Sequence, residues 1–189
     1  MELRNLSWHQ VQKIYHEFMK IDFCEEELKP WSVMERLEQD GYFLCYGVYE
    51  KEKMVAYAIF IKLENYLLLD YFAVCPECRG GGIGSKILQL FQENIKGFKG
   101  IIAEVEDPNY GTSEEDTVVR QKRYRFYIRA GLKTTPYYTV LFGTRLVILV
   151  QELTKIEETE IAEELKKIYQ IMYDEHYKNG EVRFGCLPE

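Results

Sequence analysis

Apolar positions change their spacing several times along the chain, and each change marks an expected element. Val11, Ile14, Tyr15 and Phe18 recur at helical intervals behind Ser7-x-x-Gln10, a capping-box pattern, with Leu6 and Val11 placed to close a hydrophobic staple. Pro30 opens a second short helix, Trp31 to about Gln39, that stops at Asp40-Gly41. After it the segments Tyr42 to Tyr49 and Met54 to Ile61 are rich in aromatic and β-branched residues, and the polar Glu50-Lys51-Glu52-Lys53 between them suits a hairpin. Tyr66 to Val74 is nearly continuous in apolar character, which predicts a strand in the interior of a sheet.

Glycines follow that strand, and Ile83, Ile87, Leu88, Leu90, Phe91 and Ile95 then mark one face of a helix ending near Gly97. Ile101 to Glu106 is the next expected strand. The stretch from Asp107 through Asp116 reads as a loop with an acidic end, Glu114-Glu115-Asp116, ahead of a helix from about Thr117 to Ala130 that Gly131 closes. Tyr137 to Phe142 and Leu146 to Leu153 form a strand pair with a turn at Gly143-Thr144. Thr154-x-x-Glu157 resembles a second capping box, and Ile161, Leu165, Ile168, Tyr169 and Met172 stripe the last helix. Helices, then strands, then strand-loop-helix-strand-helix-strand-strand describe a mixed α/β domain. We expect it to occupy 1–153, with 154–189 a helical extension packed on the same domain.

Composition narrows the function classes. The 189 residues suffice for one domain with a real core, and 47% apolar with 14% aromatic residues excludes a disordered chain. No apolar run reaches the roughly 18 residues of a membrane span, and the first residues do not read as a secretion signal, so membrane association is not expected and a cytoplasmic location is. The net charge of −7 disfavours nucleic acid and suits a cationic substrate. Five scattered cysteines fit reduced thiols. Cys75-Pro-Glu-Cys78 has the spacing of a redox or zinc half-site, but no second pair completes it, and no metal is expected.

The chemistry concentrates in Ala73-Val74-Cys75-Pro76-Glu77-Cys78-Arg79-Gly80-Gly81-Gly82-Ile83-Gly84-Ser85. Glycines let backbone approach a ligand closely, and a helix start offers unpaired N–H groups and positive dipole, so the segment is a candidate diphosphate cradle. It lacks the Gly-Lys-Ser/Thr ending of a Walker loop and the G-x-G-x-x-G register of a dinucleotide fold. It resembles the R/Q-x-x-G-x-G/A signature of the GCN5-related N-acetyltransferase (GNAT) superfamily, read as Arg79-Gly80-Gly81-Gly82-Ile83-Gly84. Arg125-Phe126-Tyr127-Ile128-Arg129-Ala130-Gly131-Leu132 resembles the end of that family's later helix. The resemblance covers about Tyr42 to Phe142 well, the N-terminal helices acceptably and the C-terminal helix not at all.

That resemblance implies a GNAT-like fold, with a central mixed, mostly antiparallel sheet flanked by helices and an extra C-terminal helix. It also implies acetyl-CoA as acetyl donor to an amine, attacked directly in a ternary complex. The amides of Arg79, Gly80, Gly81, Gly82, Ile83, Gly84 and Ser85 would hold the diphosphate. The backbone at Phe72, Ala73 and Val74 would pair with the pantetheine arm, and an amide near Val74 would polarise the thioester carbonyl. The acetyl group would enter a slot between Tyr66–Val74 and Ile101–Glu106. Tyr127 matches the tyrosine that protonates the departing thiolate. Glu104, in a run resembling the family's L-E-V strand, is the first candidate base, with Glu106 and Asp70 as alternatives. Arg120 stands where many members carry an Asn that touches the pantetheine, so that contact is not carried over. The basic run Arg120, Lys122, Arg123, Arg125 and Arg129 reads either as a solvated face or as a 3′-phosphate site.

Two function classes follow: an acetyltransferase acting on a small-molecule or peptide amine, and a non-catalytic acetyl-CoA sensor or interaction module. Both a monomer and a homodimer are compatible with the sequence. Polyamine, amino sugar, peptide N-terminus and lysine all stand open as acceptors.

Overall fold

A computed structural model describes residues 1–187; the last two residues of the expected C-terminal extension lie outside the described residues. The chain divides into two compact units, one of Met1–Lys62 with Leu69–Asn94, the other of Leu63–Leu68 with the chain from Ile95 onward. The architecture is mixed α/β, with a mostly antiparallel sheet flanked by helices.

The first unit contains β1 (Glu2–Asn5), β2 (Phe43–Glu50), β3 (Lys53–Lys62) and the C-terminal part of β4 (Tyr66–Val74), in the order β1-β2-β3-β4. Leu3 faces Val48 and Cys45 faces Ile59 across antiparallel ladders. Glu50 pairs with Lys53, so Lys51 and Glu52 make the hairpin turn, Lys51 with φ 56. Helix α1 runs from Trp8–Ile14 through a π-helical stretch, Tyr15–Met19, to Lys20–Asp22; α2 is Trp31–Gln39 and α3 is Ile83–Asn94. At the start of α1, Gln10 Oε1 accepts from the Ser7 N–H at 2.9 Å, and Leu6 and Val11 join one apolar cluster, as the staple pattern predicts.

Phe18 departs from expectation. The π stretch adds a residue per turn and rotates the helix face. Met19 is consequently 0% exposed while Phe18 lies at the surface.

The long apolar strands are covered on both faces. From Val55 to Ile61 every residue of β3 is buried. Tyr57 and Ile59 pack into the cluster with Ile14, Tyr15, Met19 and Met34. Phe60 instead meets Phe91 of α3 at 5.3 Å, edge to face, and Phe72 meets the same ring at 5.9 Å.

The second unit carries β4's first residues, β5 (Gly100–Glu106), β6 (Lys133–Leu141), β7 (Thr144–Glu152) and β8 (Val182–Cys186), in the order β4-β5-β7-β6-β8. Leu141 pairs with Thr144, so the β6–β7 turn is Phe142-Gly143, both with positive φ, one residue earlier than the sequence pattern places it. The β6 ladder shifts between Thr134 and Tyr138, where Pro136 has no N–H to give.

Helix α4 (Glu114–Arg129) starts three residues before the expected position. Ser113 Oγ caps the Asp116 N–H at 3.1 Å, and the acidic triplet occupies the first turn, where the dipole favours it. Helix α5 (Glu158–Lys178) starts after Glu157 without a side-chain cap, so Thr154 does not close the second capping box. Its stripe Ile161, Leu165, Ile168, Tyr169 and Met172 is buried. Polar ties hold α5 too: Asn65 donates backbone and side-chain N–H groups to Glu164, and Lys99 pairs with Glu160 at 2.7 Å.

Phe91 is the aromatic hub beneath β3 and β4 and is 0% exposed. Phe91→Ala is expected to cost about 3–5 kcal/mol of unfolding free energy, measured by urea titration, because Phe60 and Phe72 cannot collapse into the void together. A loss under about 1 kcal/mol would show that the ring packs loosely.

Candidate functional site

The signature segment grows out of β4. Cys75 N–H donates to Val55 O at 2.9 Å, Pro76–Cys78 make one 3-10 turn, and Arg79 is extended. Gly80, Gly81 and Gly82 then have φ of 93, 59 and 75°, and α3 begins at Ile83. A Cβ built at any of these three would meet no atom within 4 Å. The glycines are therefore required by conformation and not by crowding, since L side chains are strained in this region. Gly84 and Ser85 lie in the first turn of α3. A chain reversal with no side chains feeds a helix start, where unpaired N–H groups and the dipole favour an anion.

Arg79 stands directly ahead of this reversal. Its Nε donates to Val74 O at 2.9 Å and its Nη2 to Asp22 Oδ1 at 2.6 Å; Asp22 Oδ2 accepts from Tyr57 OH at 2.9 Å. Sequence reasoning missed Asp22 and Tyr57, because neither is local to the signature. Phe72 and Val74 are half-buried and Ala73 is buried. Asp70 has the partner that a carboxylate in an apolar strand requires, Lys29 Nζ at 2.6 Å.

In the second unit, Glu104 of β5 accepts hydrogen bonds on Oε1 from Thr139 Oγ of β6, at 2.8 Å, and from the Tyr169 hydroxyl of α5. Burial first, and then the Glu104 carboxylate, hold the Tyr169 phenol well above its ordinary value. Tyr169 also went unnoticed as a site residue, since it reads only as one apolar position of a stripe. Glu106 pairs with Arg123 of α4. The Arg120 guanidinium pairs with Asp116 at 2.9 Å, so two members of the basic run are engaged within this unit. Tyr127 is half-buried near the end of α4, its ring 5.0 Å from Phe126, and burial pushes its hydroxyl up to about 12 while Arg123 works slightly the other way. The helix closes at Gly131, whose φ is 96°, with the Leu132 N–H on Tyr127 O at 3.1 Å.

None of the five cysteines is in a disulfide. Burial, followed by Glu77, raises the Cys75 thiol, the opposite of what a reactive redox thiol needs. Among the described residues no group of three or more His, Cys, Asp or Glu is arranged to hold a metal ion. Among the described residues no helix is long and apolar enough to cross a membrane. A cavity of about 470 Å³ opens at the start of α4, lined by Gly111, Thr112, Ser113, Glu114, Thr117 and Val118, and none of the candidate acid–base residues lines it.

Residues 3–113 match the sequence model of the Acetyltransferase (GNAT) family. The chain is similar to the Bacillus subtilis (strain 168) protein named "Putative acetyltransferase YjbC", at 26% identity over 167 residues that cover 82% of this chain and 79% of that one. Among solved structures it is similar to one titled "Putative acetyltransferase from GNAT family" from Bacteroides thetaiotaomicron, with a TM-score of 0.73 and 21% identity over 92% of this chain and 98% of the other. The ribosomal-protein-S18-alanine N-acetyltransferase of Escherichia coli shares the fold at a TM-score of 0.57 and 14% identity, covering 83% and 96% of the two chains. With the glycine reversal and the helix it feeds in place, and a family match over more than half of its length, the chain belongs to the GNAT acetyltransferase family.

Proposed function

We propose that this chain transfers the acetyl group of acetyl-CoA to a primary amine by direct attack in a ternary complex. The observation that carries the reading is the run of three positive-φ glycines between a buried strand and a helix N-terminus. Such a turn turns peptide N–H groups toward an anionic ligand without side-chain interference. Arg79 to Ser85 would hold the diphosphate, and the backbone of Phe72, Ala73 and Val74 the pantetheine arm. When bound, acetyl-CoA supplies the activated acyl carbonyl. No metal takes part in this reading.

Tyr127 is the proposed donor to the leaving sulfur. Burial keeps its proton in place through neutral and mildly alkaline pH. Glu104 is the proposed base: an amine that arrives as ammonium must lose a proton before nitrogen attacks, and two hydroxyl donors fix the orientation of this carboxylate. The chain's charge of −7 favours a small cationic acceptor over an acidic one. Cysteines without disulfides suit a reducing, cytoplasmic setting.

A second reading, an acetyl-CoA-binding module without turnover, draws on one specific observation. Each carboxylate considered as base is already engaged: Glu104 by Thr139 and Tyr169, Glu106 by Arg123, Asp70 by Lys29. A panel of amines assayed with acetyl-CoA, reading thiol release, separates the two. The enzyme reading requires turnover with at least one amine, and the module reading requires coenzyme A affinity with none.

Tyr127→Phe is expected to lower kcat by roughly 10- to 100-fold while coenzyme A affinity, by calorimetry, stays within about threefold. Equal kcat in the variant would remove Tyr127 from the chemistry. Glu104→Gln should lower kcat/KM for the amine by about 100-fold or more.

The pH profile supplies a further check. A hydroxyl raised to about 12 stays protonated as pH rises through the ordinary tyrosine range, so kcat should show no alkaline decline up to about pH 10.5. A descending limb near pH 9, absent from Tyr127→Phe, would contradict this.

A further inference from the structure

The geometry points to Asp22 as a positioning residue that turns Arg79 into a brace for the diphosphate loop and withholds its charge from the phosphates. This inference rests on the reading that the Arg79–Ser85 loop binds coenzyme A, and it concerns how that loop is held.

Three observations converge. The Asp22 carboxylate is 6% exposed, yet it lies against an Arg79 side chain that is 54% exposed. One carboxylate oxygen takes the Arg79 Nη2 hydrogen bond at 2.6 Å and the other takes the Tyr57 hydroxyl at 2.9 Å. With each oxygen taken by a different donor, the Asp22 carboxylate is held in one orientation. Arg79 meanwhile spends its Nε on Val74 O at 2.9 Å. The guanidinium therefore joins the last residue of β4 to the last residue of α1, across the root of the reversal that Gly80, Gly81 and Gly82 complete.

A phosphate-binding arginine is normally left with its planar fork open for bidentate contact. Here one edge of the fork, Nε and Nη2, is taken by protein groups, and a carboxylate lies against the guanidinium. Glycines with positive φ have no side chains to fix them, so a reversal made of three has little intrinsic stiffness. A charge-assisted link at its root fixes the residue from which it starts. The anion is then left to the peptide N–H groups and the start of α3, and the signature arginine acts through the shape of the loop.

Isothermal titration with coenzyme A and steady-state kinetics test this. Asp22→Asn keeps the shape and an acceptor for Tyr57 but removes the charge. It is expected to weaken coenzyme A about 10-fold and raise the KM for acetyl-CoA similarly, with kcat within about threefold. Arg79→Ala, altered on the exposed side of the pair, should lose a similar factor. Arg79→Gln, which keeps an N–H donor for Val74 O, should bind about threefold more tightly than Arg79→Ala. The double variant Asp22→Asn/Arg79→Ala should be no weaker than either single one, because one brace is broken once.

Tighter binding by Asp22→Asn would overturn the inference, since it is the signature of a phosphate-seeking arginine that Asp22 had restrained. Additive losses in the double variant would do the same. A wild-type chain with no coenzyme A affinity sinks the donor reading itself, a result distinguishable from either.

Discussion

Everything in the first unit converges on one conformational constraint: after a buried strand, the backbone must turn through three consecutive left-handed residues before a helix begins. For residues with a Cβ each such step costs about 1–2 kcal/mol, so the reversal is open to glycine alone at tolerable expense. The constraint is useful only if both ends are fixed. At one end β3 and β4 are gripped between the α1–α2 cluster and Phe91 of α3, so Val74 has little freedom. At the other end the apolar face of α3, Ile87, Leu88 and Phe91, is buried. Rigid flanks thus define where a flexible glycine turn can present its amides.

The second unit solves a different problem, the placing of carboxylates in a partly buried sheet. Glu104 lies in β5 between fully buried neighbours, Ala103 and Val105, and reaches two hydroxyls supplied by β6 and α5. Glu160 and Glu164 of α5 are likewise satisfied, the first by Lys99 and Tyr66 and the second by Asn65. Isolated, these groups would be costly to bury; matched with donors, they fix how α5 sits on its own unit. Helix α5 lies beyond residues 3–113, the stretch that matches the family, yet it contributes Tyr169 to the residue proposed as base. A segment outside the family pattern therefore bears on the environment of a residue inside it.

What was legible in the sequence follows the same physics. Long elements with both faces or one clear stripe buried, β3, β4, α3 and α5, were readable because burial imposes periodicity over many residues. The strands β1 and β8 were not, being only four and five residues long: Leu3 is the single aliphatic residue of Glu2–Asn5, and in Val182–Cys186 Arg183 and Gly185 interrupt the apolar residues. Phe18 misled because a π stretch changes the count by one, and sequence carries no mark of that insertion. The signature glycines and Tyr127 were visible as local motifs. The partners of Arg79 and Glu104 were not, because Asp22 and Tyr169 lie 57 and 65 positions away and nothing nearby in the chain announces them.

The environment of Tyr127 restricts the part it can play on the proposed reading. A thiol ordinarily titrates near 8.5, whereas burial lifts this phenol to about 12. Complete transfer of the tyrosine proton to a thiolate would run uphill and would leave a tyrosinate where burial disfavours the charge. A hydrogen bond that strengthens as charge develops on sulfur avoids that cost and still favours the transition state over the ground state. On the proposed reading Tyr127 therefore donates a hydrogen bond without giving up its proton. The proton that finally neutralises the thiol comes from solvent or from the attacking ammonium, whose deprotonation is the task assigned to Glu104. On this reading the two residues are complementary: Tyr127 relieves charge at the leaving group without titrating, and Glu104 takes the proton that the ammonium loses before attack, the second nitrogen proton leaving once the bond to carbon has formed.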